Sequence, residues 1–136
     1  MIENRQQRII RVKDVMKKEF DCVDGLDTIA TALKKMNHIN TKCLIVEKRH
    51  EDDEYGILLI SDIARKVLGQ DKAADRINVY EVMAKPVISV DQNMDVRYCA
   101  RLFDRFDISR APVIDNGKLV GVVSLTDLAL KGLSLD

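Results

Sequence analysis

V-K-D-V-M at residues 12–16 returns as V-Y-E-V-M at residues 79–83. Each copy is followed by a helical pattern and then by an apolar run, which leads into Ser-Asp at Asp62 or into Thr-Asp at Asp127. Such self-similarity indicates repeated structural units that bury a common core. The chain is therefore expected to hold two units of about 60 residues, each of them only marginally stable alone.

Hydrophobic periodicity predicts the order β-α-β-β-α in each unit. Apolar residues at i, i+3, i+4 and i+7 mark one face of a helix in residues 28–38 and again in residues 95–106. In the second helix the residues expected to face inward are Val96, Cys99, Ala100, Phe103 and Phe106. Buried strands are expected at short apolar runs, at residues 19–23, 43–46, 55–60, 87–90, 112–114 and 119–123.

Local signals predict where several of these elements begin and end. Asp27 and Ser61 are expected to cap the helices that follow them, because short polar side chains accept hydrogen bonds from unpaired N–H groups. Gly69 is expected to end the helix that starts at Asp62. Asn116-Gly117 predicts a type I′ hairpin turn, since both residue types tolerate positive φ.

The repeats divide the chain into four parts. Residues 1–11 form an N-terminal segment, either a short helix or a frayed tail, and residues 12–68 form the first repeat. Residues 69–78 are interpreted as a polar linker, too short to let the repeats move far apart. Residues 79–133 form the second repeat.

The composition argues against several classes of function. The 22 basic and 22 acidic residues give a net charge of zero, which argues against binding to nucleic acid. No apolar run reaches the ~20 residues that span a bilayer, and the first residues lack a signal-peptide pattern. The three cysteines, Cys22, Cys43 and Cys99, form no C-x-x-C pair, so neither a disulfide nor a zinc site is expected. The chain is expected to be soluble and cytoplasmic, without membrane insertion.

Three short motifs of the second repeat resemble the cystathionine-β-synthase (CBS) domain family. They are V-M at residues 82–83, R-A-P-V-I-D at 110–115 and G-V-V-S-L-T-D at 121–127. The first repeat matches more loosely, with V-M at residues 15–16, K-C-L-I-V-E at 42–47 and G-I-L-L-I-S-D at 56–62. Two copies in the same order identify the chain as a member of the family with a tandem CBS pair, also called a Bateman module.

The resemblance implies an α/β (α+β) fold in which two repeats pack with pseudo-two-fold symmetry, and a homodimer of such pairs. It implies a stand-alone regulatory protein, not an enzyme, that acts on an unidentified partner protein. The ligand would be an adenosine-containing compound, AMP, ADP, ATP or S-adenosylmethionine, bound in the cleft between the repeats. No cofactor is required for this role.

The strand-to-helix junction of the second repeat carries the family's ligand-binding pattern. The resemblance implies that Asp127 accepts hydrogen bonds from ribose hydroxyls and that Ser124 and Thr126 donate to phosphate. The helix start offers free N–H groups to an anion, and Arg110 can add a charge-assisted bond. The other residues implied in this main site are Ala111 and Val113 beside the adenine, Pro112 between them, and Cys22, Val23, Asp27 and Ala32 from the first repeat. The alternative is that Ser124 or Thr126 only caps the helix, with Asp127 complementing its dipole.

The first repeat departs from this pattern. Leu59 stands where the second repeat has Ser124, whereas Asp62 is retained. Ser61 is aligned with Thr126, and Lys42 is aligned with Arg110. This position therefore keeps a positive charge but lacks the planar guanidinium that can bind a phosphate through two hydrogen bonds. The weaker, pseudo-symmetric site is therefore predicted to consist of Lys42, Cys43, Ser61 and Asp62.

Other functions find less support in the sequence. A structural or dimerisation module that binds a protein partner without any ligand remains the main alternative. Residues 50–54 (H-E-D-D-E) are interpreted as a solvated loop in preference to a metal site, and no metal is expected. Cys43 has no evident activating base, and no P-loop, G-x-G-x-x-G or H-E-x-x-H motif occurs.

Overall fold

The computed structural model describes residues 9–85 and 87–133. Within them, five α-helices and six strands form a mixed α+β fold, which confirms the expected fold class. The elements are α1 (Val12–Val15), β1 (Cys22–Val23), α2 (Ile29–Lys35), β2 (Cys43–Val46), β3 (Gly56–Leu59), α3 (Ile60–Lys66), β4 (Val90–Asp91), α4 (Val96–Phe106), β5 (Arg110–Asp115), β6 (Lys118–Ser124) and α5 (Leu125–Gly132). Short 3-10 turns lie at Ile39–Thr41, Leu68–Gln70 and Val79–Glu81.

The chain folds into two compact units that exchange their V-x-x-V-M stretches. The middle unit is Glu19–Val87, and the terminal unit combines Met1–Lys18 with Ile88–Asp136. The stretch at residues 12–16 therefore belongs to the unit that contains the sheet of the second repeat. The stretch at residues 79–83 belongs to the unit that contains the sheet of the first repeat.

The middle unit has a three-stranded sheet in the order β1-β2-β3. Val23 pairs with Val46 in the parallel β1–β2 ladder, and Cys43 pairs with Leu59 in the antiparallel β2–β3 ladder. The 3-10 turn at Val79–Glu81 contributes to the core through its buried valine. The core of this unit consists of Val23, Ile29, Ala32, Leu44, Val46, Leu58, Ile63, Val67, Val79 and Val82.

The terminal unit repeats this topology in the order β4-β5-β6. Val90 pairs with Val113, and Arg110 pairs with Ser124. Helix α1 packs into the core through its two valines, as the 3-10 turn does in the middle unit. The core consists of Val12, Val15, Val90, Val96, Cys99, Phe103, Ala111, Val113, Val123 and Leu128.

The hairpin between β5 and β6 confirms the turn predicted from Asn-Gly. Asn116 has φ 50° and Gly117 has φ 79°, and these two positive angles define a type I′ turn. The prediction for helix α4 is also confirmed at its bounds and along most of its inward face. Phe106 is the exception, because its position at the last turn of α4 leaves it 52% exposed.

Three predicted helix ends of the first repeat are wrong. Thr28 caps α2 in place of Asp27, because its side chain accepts from Thr31 N. Ser61 lies inside α3, whose N-cap position is held by Leu59. Gly69 falls within a 3-10 turn that continues the helix, and the left-handed residue that ends this turn is Asp71.

The segment interpreted as a linker is hydrogen-bonded to the start of helix α2. The N–H of Ile29 donates to Ile77 O at 2.8 Å, and the N–H of Ala30 donates to Ala74 O at 2.9 Å. These bonds satisfy two of the N–H groups that a helix start leaves without an intrahelical acceptor. Residues 74–78 therefore form part of the middle unit. The predicted N-terminal segment lies outside the described residues except for residues 9–11.

No helix in the described part of the chain has the length and apolar character needed to cross a bilayer.

Candidate functional site

The 124–127 junction, where β6 passes into α5, is closed by a reciprocal pair of hydrogen bonds. Ser124 is the N-cap of α5, and its Oγ accepts from Asp127 N at 3.1 Å. In return, Asp127 Oδ2 accepts from Ser124 N at 3.1 Å and from Ser124 Oγ at 3.0 Å. This arrangement is a capping box, in which each residue satisfies a free N–H group of the other. Ser124 thus caps the helix, as the alternative interpretation of the motif supposed, and its part in ligand binding stays a prediction.

Lys17 completes the junction from a distant part of the sequence. Its Nζ lies 2.6 Å from Asp127 Oδ1, so both carboxylate oxygens of Asp127 have partners. Asp127 is only 4% exposed, whereas the Lys17 side chain is 30% exposed. A buried carboxylate is costly unless it is paired and hydrogen-bonded, and Lys17 supplies the compensating charge.

The backbone after α1 holds Lys17 in this position. Lys17 N donates to Val122 O and Val122 N donates to Lys17 O, both at 2.9 Å. Gly121 permits this approach, because a Cβ at that position would lie 2.6 Å from Met16 Sδ and 2.8 Å from Lys17 O. The glycine of the G-V-V-S-L-T-D motif thus has a packing role beside the junction.

Arg110 lies next to the junction through the strand pairing. It faces Ser124 in the β5–β6 register, and the neighbouring Leu125 N donates to Ser109 O at 2.9 Å. Directly paired residues on antiparallel strands have Cβ atoms about 5 Å apart. Thr126 is exposed in the first turn of α5. The structure therefore brings Arg110, Ser124, Thr126 and Asp127 together, with Lys17 as an addition that sequence reasoning missed.

The predicted ligand-binding residues of β5 that follow Arg110 lie deeper. Ala111 and Val113 are 0% exposed and belong to the apolar core of the terminal unit. Pro112 is also buried and pairs with Val122. Contact between a ligand and these three side chains stays a prediction, and the core burial of Ala111 and Val113 argues against it.

The four residues predicted to join the main site from the first repeat belong to the middle unit. Val23 and Ala32 are core residues there. Asp27 accepts from Lys35 Nζ at 2.9 Å, and this hydrogen bond holds the pKa of Asp27 below its usual value. Burial, together with Glu47 and Asp21 nearby, raises the pKa of the Cys22 thiol to about 11. Their part in ligand binding stays a prediction.

The corresponding 59–62 junction of the middle unit lacks the polar set. In the β2–β3 register Cys43 faces Leu59, as Arg110 faces Ser124 in the terminal unit. This register aligns Cys43, not Lys42, with Arg110, so the sequence alignment was wrong by one residue. Lys42 lies just before β2 with φ 58°.

The retained carboxylate at this junction has a different partner. Asp62 Oδ1 accepts from Arg65 Nη2 of its own helix at 3.1 Å, and the same nitrogen lies 3.4 Å from Ser61 Oγ. Ala84 bonds to Ile57 through both backbone groups, as Lys17 bonds to Val122. Because Ala84 has no ammonium group, it cannot make the ion pair that Lys17 makes. The middle unit thus has Cys43, Leu59 and Ala84 where the terminal unit has Arg110, Ser124 and Lys17.

The acidic loop at residues 50–54 is held by hydrogen bonds to Asp53. Asp53 accepts from Lys85 Nζ and from Arg49 N, each at 2.8 Å. The hydrogen bond from Lys85 is the main cause that holds the pKa of Asp53 well below its usual range. Across residues 9–85 and 87–133, no group of three or more His, Cys, Asp or Glu side chains has a geometry that could hold a metal ion.

The two repeats match a known protein family. The family model described as CBS domain matches the chain twice, at residues 12–69 and 79–133. An uncharacterized protein of Methanopyrus kandleri is 31% identical over 125 residues, which make up 89% of this chain. The chain spans 62% of the length of that relative.

Two solved structures share both the fold and part of the sequence. A hexameric CBS-CP12 protein from bloom-forming cyanobacteria is 38% identical, with a TM-score of 0.87 over 92% of this chain and 72% of that one. The CBS domain pair of protein MJ0100, in complex with 5′-methylthioadenosine and S-adenosyl-L-methionine, is 29% identical. Its TM-score is 0.76 over 92% of this chain and 98% of that one.

Proposed function

Because the chain belongs to the CBS domain family, with two copies in tandem, we propose that it is a regulatory protein that binds an adenosine-containing ligand at the 124–127 junction. The observation that carries this proposal is the unequal chemistry of the two junctions. Only the junction of the terminal unit combines a capped helix start, Arg110 and the Lys17–Asp127 pair. The complex of the MJ0100 pair with two adenosine compounds supports the same ligand class.

The chemistry of the junction suits a ribose and a phosphate. The positive end of the dipole of helix α5 lies at the junction, although Leu125 N and Asp127 N already donate to Ser109 O and Ser124 Oγ. The exposed Thr126 hydroxyl and the Arg110 guanidinium are donors that fit phosphate oxygens. A carboxylate offers about four acceptor positions, and three of those on Asp127 are used by Lys17 and Ser124. A ribose hydroxyl would bond to the remaining position or would replace Lys17.

The regulatory output would be a change of conformation or assembly that a partner protein detects. A ligand shifts such an equilibrium only by its difference in affinity for the two states. We propose self-association as part of this output, supported by the hexamer described for the CBS-CP12 protein. In this proposal the protein is regulatory and not catalytic, and it acts in the cytoplasm.

Calorimetric titration tests the proposal. Protein stripped of ligand by unfolding and refolding is titrated with AMP, ADP, ATP and S-adenosylmethionine. Saturable heat is expected from at least one of them, with one site per chain. Because the chain has three Tyr and no Trp, a co-purified nucleotide would also show as excess absorbance at 260 nm before stripping. Absence of heat with all four compounds would contradict the proposal.

A ligand-free interaction module is the second candidate, and one observation favours it. Ser124, Asp127 and Lys17 bond to one another, so the buried carboxylate of Asp127 has partners without a bound molecule. In that case the working surface would lie elsewhere, for example on the apolar side chains that α4 exposes, Tyr98 and Phe106. Failure of every ligand, together with concentration-dependent self-association in sedimentation velocity, would favour this candidate.

A further inference from the structure

We infer that Lys17 sets the charge class of the ligand, so that the 124–127 junction prefers adenosine compounds with a phosphate over neutral or cationic ones. The inference rests on the proposed function and adds a residue from outside the strand-to-helix motif. Lys17 lies in the segment before β1. This segment belongs to the terminal unit, where Lys17 contacts Asp127.

The charge on Asp127 makes this role necessary. Asp127 is almost fully buried, and the two groups that contact its Oδ2 come from Ser124 and carry no charge. Coulomb interactions are stronger in such surroundings than in water. Without a cation, the carboxylate would repel a phosphate placed at the start of α5. Lys17 Nζ, 2.6 Å from Oδ1, neutralises that charge.

Lys17 can also act on the ligand directly. An ammonium group has three donors, and the contact with Asp127 Oδ1 uses one of them. The side chain is 30% exposed, so the remaining donors are within reach of solvent and of a bound anion. A sulfonium compound such as S-adenosylmethionine has no phosphate to accept these donors, so it would gain nothing from them.

The middle unit offers an internal comparison. Its backbone pairing at Ala84 matches that at Lys17, and its Asp62 corresponds to Asp127. With alanine at that position, the ion pair that Asp62 makes in the described part of the chain is with Arg65 of its own helix. The ion pair at the terminal junction thus depends on the Lys17 side chain. It does not follow from the backbone pairing, which the two units share.

Paired titrations with AMP and adenosine test the inference, because the two compounds differ only in the phosphate. The chains compared are wild type, Lys17→Met, Lys17→Gln and the control Lys18→Met, which changes an exposed lysine at the next position. Lys17→Gln keeps a donor for Asp127 and removes only the charge, so it serves if the methionine variant is unstable. Wild type and Lys18→Met should prefer AMP, and both Lys17 variants should lose about tenfold or more of that preference.

The outcomes separate the inference from the proposed function. If wild type binds AMP but the ratio of the two affinities is the same in the Lys17 variants, the inference is wrong and the proposed function stands. The same holds if the Lys17 variants bind both compounds more tightly by an equal factor, since Lys17 would then only compete for Asp127. If wild type binds none of the adenosine compounds, the proposed function fails and the inference with it.

Discussion

Lys17 Nζ and Asp127 Oδ1 lie 2.6 Å apart although 110 positions separate the two residues in the sequence. This pair joins the segment that opens the first repeat to the helix that closes the second. It exists because the V-x-x-V-M stretch of each repeat packs in the compact unit of the other. The ligand site proposed at the 124–127 junction therefore depends on a residue that the motif itself does not contain.

Replacing Asp127 with alanine should destabilise the protein more than replacing Asp62. Asp127→Ala removes the two hydrogen bonds that the carboxylate accepts from Ser124 and leaves Lys17 without its partner, which together cost about 1–3 kcal/mol. Asp62→Ala removes a pair within one helix, worth less than about 0.5 kcal/mol. Urea unfolding followed by circular dichroism measures both changes. Equal losses for the two variants would contradict the role assigned to the junction.

The two motif glycines should differ in their tolerance of a methyl group. A Cβ on Gly121 would lie 2.8 Å from Lys17 O, a backbone atom, whereas on Gly56 the corresponding contact with Ala84 O is 3.2 Å. Gly121→Ala should therefore lower the free energy of unfolding by about 1–3 kcal/mol, and Gly56→Ala by less. Urea unfolding measures both changes. A larger loss for Gly56→Ala would show that the close approach to Lys17 O at Gly121 does not determine the cost of the added methyl group.

Restoring the lost side chains should create a second binding site. Ala84→Lys combined with Leu59→Ser gives the middle unit the cap and the cation that Ser124 and Lys17 provide in the terminal unit. The number of bound ligands per chain should rise from one to two in calorimetric titration. Ala84→Lys alone is the matched control and should leave the number at one, because Leu59 at the N-cap offers no acceptor.

A stoichiometry of one in the double variant would contradict this prediction, provided that its terminal site keeps its wild-type affinity. Cys43, which aligns with Arg110, would then be the next difference to examine.

The thiols of Cys22 and Cys99 should react slowly near neutral pH. Burial is the main cause that raises the pKa of each to about 11, and only the thiolate is the reactive form. Rates of alkylation by iodoacetamide, followed by peptide mass spectrometry, should rise about tenfold per pH unit from pH 7 to 9 without levelling. In 8 M urea the same thiols should react much faster. A plateau below pH 9 in the native protein would contradict the raised pKa.

Features with a local cause could be predicted from the sequence. The Asn116-Gly117 turn depends on two adjacent residues, and the start of α4 depends on Asp95, whose side chain accepts from Arg97 N. The order β-α-β-β-α follows from periodicity that is visible within short windows. The family motifs, being short and repeated, led to the 124–127 junction in the same way.

Features that depend on pairing between distant residues could not be predicted from the sequence. Residues 43–46 are all buried, so β2 shows no alternation from which its register could be read. The one-residue error that aligned Lys42 with Arg110 follows from this. Lys17 was missed because its partner is far away in the sequence, although one signal was present: lysine follows the first V-x-x-V-M stretch and alanine follows the second.

The ligand site at the 124–127 junction is tested by calorimetric titration of wild type, Asp127→Ala and Asp62→Ala with the adenosine compound that wild type binds best. Circular dichroism at the same temperature confirms that each variant is folded. We expect one site in wild type, a loss of about tenfold or more in affinity for Asp127→Ala, and wild-type affinity for Asp62→Ala. Unchanged binding by folded Asp127→Ala, or the loss of binding in Asp62→Ala, would contradict this expectation.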